Sequence, residues 1–147
     1  MTMAPSDMLC FALYSAGHAM QSAYAPLLEP LGVTYPQYLV LQSLGEMDEQ
    51  TVGHLGAGLQ LDSNTLTPLL KRMETAGWLS RQRNPADQRQ VRVSLTPTGA
   101  ALLAKAVDVP RCFAEKTGLN LAELGALRDT LTILRDRLRP RPEKHRA

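Results

Sequence analysis

The first 70 residues of this 147-residue chain contain no lysine and no arginine; the first is Lys71. The stretch from Met1 to Leu9 therefore has no basic segment ahead of its apolar residues, and no secretory signal is expected. No apolar run approaches the ~18 residues that a membrane span needs, so no membrane partner is expected. Cysteine is scarce as well. Cys10 and Cys112 are too far apart for a CxxC redox motif, and no histidine–cysteine cluster has zinc-ligand spacing. Neither a metal nor a cofactor is expected. Internal repeats and low-complexity segments are also missing. These absences together lead to the expectation of a soluble, cytoplasmic chain whose two thiols are reduced at rest. Its length suits one domain, or one compact domain with an appended dimerisation element.

What charge there is lies unevenly. The net charge is only +2, yet the segment before Lys71 carries six acids and no base, a charge of −6. From Lys71 to Val93 the bases Lys71, Arg72, Arg81, Arg83, Arg89 and Arg92 face only Glu74 and Asp87. A short basic block inside an acidic or neutral chain is the electrostatic footprint of a polyanion-binding surface. The same cluster taken alone also fits a solvated charged face.

Hydrophobic spacing and punctuation predict the elements. Ser6 is placed to cap a first helix through Leu9, Leu13 and Met20 to Leu28, ended by Pro26 and Pro30. Thr34 and Pro36 open a second helix, followed by a loop from Gly45 to Glu49. Thr51 caps a short, glycine-weakened helix (Val52, Leu55, Leu59). After the turn at Leu61–Asp62, with Ser63 as a cap, Leu66, Leu69, Leu70 and Met73 repeat at helical spacing until Gly77. The period then changes. Trp78 to Arg81 and Gln90 to Leu95 alternate as strands do, around the turn residues Asn84-Pro85-Ala86-Asp87. Thr96-Pro97 opens a long helix towards Lys116 with a kink at Pro110, and Leu121 to Leu138 forms a last amphipathic helix.

The fold class is thus mostly α with a small β-hairpin wing: a winged helix-turn-helix plus a helical dimerisation region. The expected organisation is a dimerisation and sensing helix over 1–33, a DNA-binding region over 34–96, dimerisation helices over 97–139 and a frayed basic tail over 140–147. The apolar stripes of the end helices exceed what so small a central module can cover, so a homodimer is expected. The partner expected for such a module is double-stranded operator DNA. On the helix after Asp62, Ser63, Asn64, Thr65 and Thr67 can approach base edges, while Lys71 and Arg72 can meet phosphates. On the hairpin, Arg81, Arg83 and Arg89 form an argininyl face, and an arginine at its tip can enter a narrow minor groove. Asp87 could hold the Arg89 guanidinium in position, or the two could form an ordinary surface pair.

The run Leu61-Asp62-Ser63-Asn64-Thr65-Leu66-Thr67-Pro68-Leu69-Leu70-Lys71-Arg72-Met73-Glu74 resembles the recognition helix of the MarR family of transcriptional regulators. Asp87-Gln88-Arg89-Gln90-Val91 with Leu95-Thr96 resembles that family's wing signature. Cys10-Phe11-Ala12-Leu13-Tyr14 and Thr34-Tyr35-Pro36-Gln37-Tyr38 are similar to the OhrR subgroup, repressors of organic-hydroperoxide resistance genes. Asn64 stands where that subgroup usually has glycine, and Gln88 where it usually has glutamate.

Cys10 taken alone reads as an inert thiol among apolar neighbours; sensing requires a thiolate open to solvent. With no cation nearby in sequence, the available stabilisers are hydroxyls. All four tyrosines fall between Tyr14 and Tyr38, and Tyr14 lies at i+4 from Cys10. The resemblance implies that Tyr24 and Tyr35 hydrogen-bond the reactive sulfur across the dimer interface; Tyr38 reads as a core aromatic. It also implies that organic hydroperoxide is the effector and that Cys112 is a resolving cysteine forming an intersubunit disulfide with Cys10. A packed thiol beside Phe113 is the alternative for Cys112. Two other functions fit the residues: a repressor released by a small phenolic or lipophilic ligand against Phe11, Tyr24 and Tyr35, and a thiol peroxidase. No arginine lies near Cys10 in sequence to polarise a peroxide, and an enzyme would leave the basic hairpin unexplained, so a non-enzymatic regulator is expected.

Overall fold

A computed structural model describes residues 2–139; the basic tail expected over 140–147 lies outside the described residues. The chain forms two compact units that divide between Pro110 and Arg111.

In the first unit, helix α1 spans Leu9–Leu28. Ser6 does not cap it. Pro5–Asp7 forms a 3-10 turn in which the N–H groups of Asp7 and Met8 donate to the carbonyls of Ala4 and Pro5. The backbone donor that a Ser6 cap would have claimed is already used, and Met8, in extended conformation, starts the helix without a side-chain cap. Helix α2 (Tyr35–Glu46) opens as expected. Thr34 accepts from the Gln37 N–H and the Gln37 side chain accepts from the Thr34 N–H, a reciprocal capping box ahead of Pro36. The helix continues through Gly45, where a loop was expected. A Cβ there would strike Leu103 of the helix over Pro97–Lys105, so the glycine serves close packing rather than a turn.

Strand β1 (Gln50–Thr51) is an element the sequence pattern did not announce. Thr51 also caps α3 (Val52–Leu59) by accepting from the His54 N–H. Helix α4 (Ser63–Thr75) is capped by Asp62, not by Ser63. Asp62 has the extended backbone of a cap, and its carboxylate accepts the Thr65 N–H at 2.8 Å, leaving Ser63 as the first helical residue. At the other end Gly77 takes φ +80°, and the Gly77 and Trp78 N–H groups return to the carbonyls of Glu74 and Met73.

Strands β2 (Leu79–Asn84) and β3 (Asp87–Leu95) pair antiparallel around Pro85–Ala86, and β1 joins the far side of β3. The hairpin is longer than the alternating segments alone indicated. Thr96 caps α5 (Pro97–Lys105). The expected kinked helix is instead interrupted, because the N–H groups of Ala106, Val107 and Val109 turn back three residues rather than four. Pro110, with no N–H to give, then sits in the first turn of α6 (Val109–Thr117), where none is needed.

The core of this unit joins Leu28 and Val33 to Val40, Leu41 and Leu44 of α2, Leu55 of α3, Leu66, Leu70 and Met73 of α4, and Leu79 and Val93 of the sheet. Each such aliphatic contributes about 1.5–3 kcal/mol on burial. The central helices and the wing are therefore fixed on one continuous apolar mass.

The second unit holds the rest of α6 and α7 (Leu121–Leu138), which Asn120 and Glu123 open with another capping box. No residue of α7 is buried within the chain, and Leu121, Leu127, Leu131, Ile133 and Leu138 are exposed.

Candidate nucleic-acid interface and thiol site

Helix α4 buries Leu66, Leu69, Leu70 and Met73 and turns its polar residues outward. Ser63, Asn64 and Thr65 are exposed in its first turn, Thr67 is half-buried, and Lys71 and Arg72 are exposed towards its end. Capping by Asp62 leaves the Ser63 hydroxyl unclaimed by the cap.

On the wing, Arg83, Asp87 and Arg89 are exposed. Asp87 accepts the backbone N–H of Arg89 at 3.0 Å, not its guanidinium. A carboxylate two residues before a turn-proximal N–H closes an Asx-type ring, and this local bond displaces the side-chain pair that the sequence suggested. Asn84 does likewise for Ala86 on the other side of the turn. Among the described residues no acid pairs with the guanidinium of Arg83 or Arg89. Arg81 differs: its Nε and Nη2 donate to Glu74 Oε2 at 2.9 and 2.8 Å. Its charge is already met within the protein.

Cys10 lies exposed in the first turn of α1, beside exposed Leu9 and Phe11. Tyr14, one turn on, is exposed and sets its ring edge-on against His18 at 4.5 Å between centroids. Tyr24 and Tyr35 pack together at 4.8 Å, and Tyr38 adjoins both at 6.0 and 6.5 Å. Burial pushes the Tyr24 hydroxyl up to about 12, and Tyr35 and Tyr38 add to that shift. Burial raises Tyr35 and Tyr38 too, partly offset at Tyr38 by the hydrogen bond with Gln42. These phenols therefore remain protonated donors across the neutral range. Tyr38 is a core aromatic, 4% exposed, as expected; its hydroxyl accepts from Gln42 Nε2 at 2.9 Å. Cys112 is half-buried in α6, in the second unit.

Residues 33–91 match the MarR family. The chain is 45% identical over 128 residues to the organic hydroperoxide resistance transcriptional regulator of Bacillus subtilis, covering 85% of this chain and 87% of that protein. The chain belongs to the MarR family.

This MarR-family chain is also 47% identical over 133 residues to the regulator TtmR of Methylorubrum extorquens, across 90% of this chain and 68% of that protein. Among solved structures, reduced AbfR bound to DNA superposes with a TM-score of 0.76 at 34% identity, over 88% of this chain and 89% of that one. BpsR of Bordetella bronchiseptica, described for regulation of its DNA binding by 6-hydroxynicotinic acid, gives 0.84 at 25% identity, over 92% and 99%. The likeness to the Bacillus regulator supports the OhrR subgroup within the MarR family.

Sequence reasoning missed two contacts in this MarR-family fold. Gln42, which bonds the Tyr38 hydroxyl, carried no signal beyond i+4 spacing. Glu74, the partner of Arg81, did carry one, as one of only two acids between Lys71 and Val93.

Proposed function

We propose that this chain is a homodimeric repressor that binds double-stranded operator DNA and releases it when organic hydroperoxide oxidises Cys10. The observation that carries this reading is an exposed cysteine at the head of α1 in a chain 45% identical to an organic hydroperoxide resistance regulator. The end segments 1–33 and 97–139 build the dimer, and the region 34–96 reads DNA. Ser63, Asn64, Thr65 and Thr67 of each α4 face base edges, Lys71 and Arg72 face phosphates, and Arg83 and Arg89, with Asp87 shaping the turn, enter the minor groove.

In the reduced protein, Tyr24 and Tyr35 of the opposite subunit, with Tyr14 of the same helix, donate hydroxyl hydrogen bonds that favour the Cys10 thiolate. The thiolate attacks the outer peroxide oxygen; the O–O bond breaks, the alkoxide leaves and takes up a proton as alcohol, and Cys10 becomes sulfenic acid. The Cys112 thiol of the partner subunit then displaces water, giving an intersubunit disulfide. A disulfide holds its Cα atoms within about 7 Å, so its formation constrains the helices that bear the two cysteines and biases the dimer away from the DNA-binding arrangement.

Titration of operator binding against cumene hydroperoxide tests this. Wild type should release DNA near one equivalent per subunit, and Cys10→Ser should not respond. Cys112→Ser should react at Cys10 yet form no crosslinked dimer on a non-reducing gel. The likeness to BpsR favours one second reading, release by a small aromatic ligand against Phe11, Tyr24 and Tyr35. In that case Cys10→Ser remains fully inducible.

A further inference from the structure

Arg81 lies on β2 opposite Val93, whose side chain is wholly buried, so both belong to the inward face of the sheet. Arg83, two residues on and opposite Val91, shares that face. Strand β2 is an edge strand, and its outer N–H groups have no strand to pair with. Glu74, near the end of α4, meets this edge. One of its oxygens accepts the Arg81 backbone N–H at 3.2 Å, and the other accepts Nε and Nη2 of the same residue. A single carboxylate thus fixes both the main chain and the side chain of one wing residue. The side chains of Arg81 and Glu74 are 23% and 37% exposed, so the contact is only partly open to solvent screening.

A cleft of about 440 Å³ is bounded by Val52 and Gly53 at the start of α3, by Thr67 and Leu70 of α4 and by Arg89 and Val91 of the wing. Arg81 also lines that cleft while paired to α4. Its guanidinium spends two donors on Glu74, in the planar fork geometry that lysine cannot reproduce.

We propose that Arg81 is a positioning residue and not a phosphate ligand: with Glu74 it sets the spacing between the recognition helix and the wing, so that α4 and Arg89 meet adjacent grooves together. The inference rests on the reading of α4 and the wing as the DNA interface. It differs from a phosphate contact in the sign of one measurement. Glu74→Gln removes a negative charge close to the DNA-facing surface. If Arg81 were a phosphate ligand, the loss of its competitor would leave binding unchanged or tighten it. A brace, in contrast, fails when either end is altered.

The test is operator affinity of the full-length protein by fluorescence anisotropy over a range of salt, with thermal melts alongside. Glu74→Gln and Arg81→Lys should each weaken binding about five- to tenfold, the scale of a charge-assisted bond pair. The salt slope should hold in both. The double variant should be no weaker than either single one, since both remove the same contact. Reversal of the pair, Glu74→Arg with Arg81→Glu, should recover part of the affinity lost in Glu74→Arg alone, which keeps the proposal testable should a single variant fold poorly. Tighter or unchanged binding in Glu74→Gln, or full binding in Arg81→Lys, would overturn it. Arg89→Ala and Lys71→Ala should each reduce the salt slope by about one. If both are silent, the wing reading itself falls and the brace falls with it.

Discussion

Tyr24, Tyr35 and Tyr38 form a small aromatic group whose hydroxyls are all harder to ionise than free phenol. For Tyr24 the folded value, about 12, lies above the ordinary 10.0. Its contribution to stability is therefore whole below the ordinary value and is lost as pH rises through the folded one. Absorbance titration at the phenolate band should show Tyr24 ionising late, near 12 and above the ordinary 10.0, and Tyr24→Phe should delete that late step. Tyr35→Phe should slow alkylation of Cys10 at neutral pH without abolishing operator binding; an unchanged rate would remove Tyr35 from the thiol site. Glu74 has the opposite sign. Hydrogen bonds from Arg81 hold its carboxyl below the ordinary carboxylate value, so the contact is intact above that value and is lost as pH falls through the depressed one. At this scale the sequence was readable where residue type alone decides, as with the tyrosine cluster. It was not readable where a partner far along the chain decides: nothing local shows that Arg81 is committed while Arg83 and Arg89 are not.

Among the helices, starts were the most legible feature, because a cap is a local bond between a side chain and an N–H three residues away. Thr34, Thr51 and Thr96 cap as their positions indicate, and Asn120, which carried no such reading, caps α7 as well. Ser6 fails because a proline turn consumes the donor, and Ser63 because Asp62 beside it is a better-placed acceptor. Thr34→Ala should cost about 1 kcal/mol in denaturant unfolding. Strand β1 stayed hidden, since two residues carry no period and only β3 makes them a strand. The glycines were misleading in a similar way. Gly99 follows the Thr96 cap, and a Cβ there would collide with the Trp78 carbonyl oxygen and lie 3.2 Å from Leu95 Cδ2. Backbone cannot yield as a side chain can, so Gly99→Ala should destabilise by about 1–3 kcal/mol or more. Gly45→Ala meets only the end of the Leu103 side chain and should cost less. A chemical melt that ranks Gly45→Ala below Gly99→Ala in stability would contradict this packing.

For the molecule as a whole, the proposed dimer would cover the exposed apolar residues of α1 and an α7 that buries none of its residues within the chain. Sedimentation at micromolar concentration should find a dimer, and charged substitutions at Leu127 and Leu131 should dissociate it; a monomer would count decisively against the proposed assembly. The fold class was legible because the change from helical to alternating period at Gly77 is abrupt. The interruption at Ala106–Asp108 was not, because a proline signals a disturbance without saying which turn gives way. Gln50 adds a mechanical consequence. Only 5% exposed, it donates to the Ser43 carbonyl, the Ser43 hydroxyl and the Met47 carbonyl at the end of α2, while its strand pairs with Val93 and Arg92. Asp48 accepts the Leu95 N–H as well. The base of the hairpin is thus clamped to the helix that carries Tyr35, while the span from Val91 to Asp87 overhangs as a lever of roughly 13 Å at ~3.3 Å per residue. On that overhang a tilt of about 5° at the clamp displaces the tip by about 1 Å. Such a movement is small for α2 and is felt most at the tip of the wing, where Asp87 and Arg89 stand.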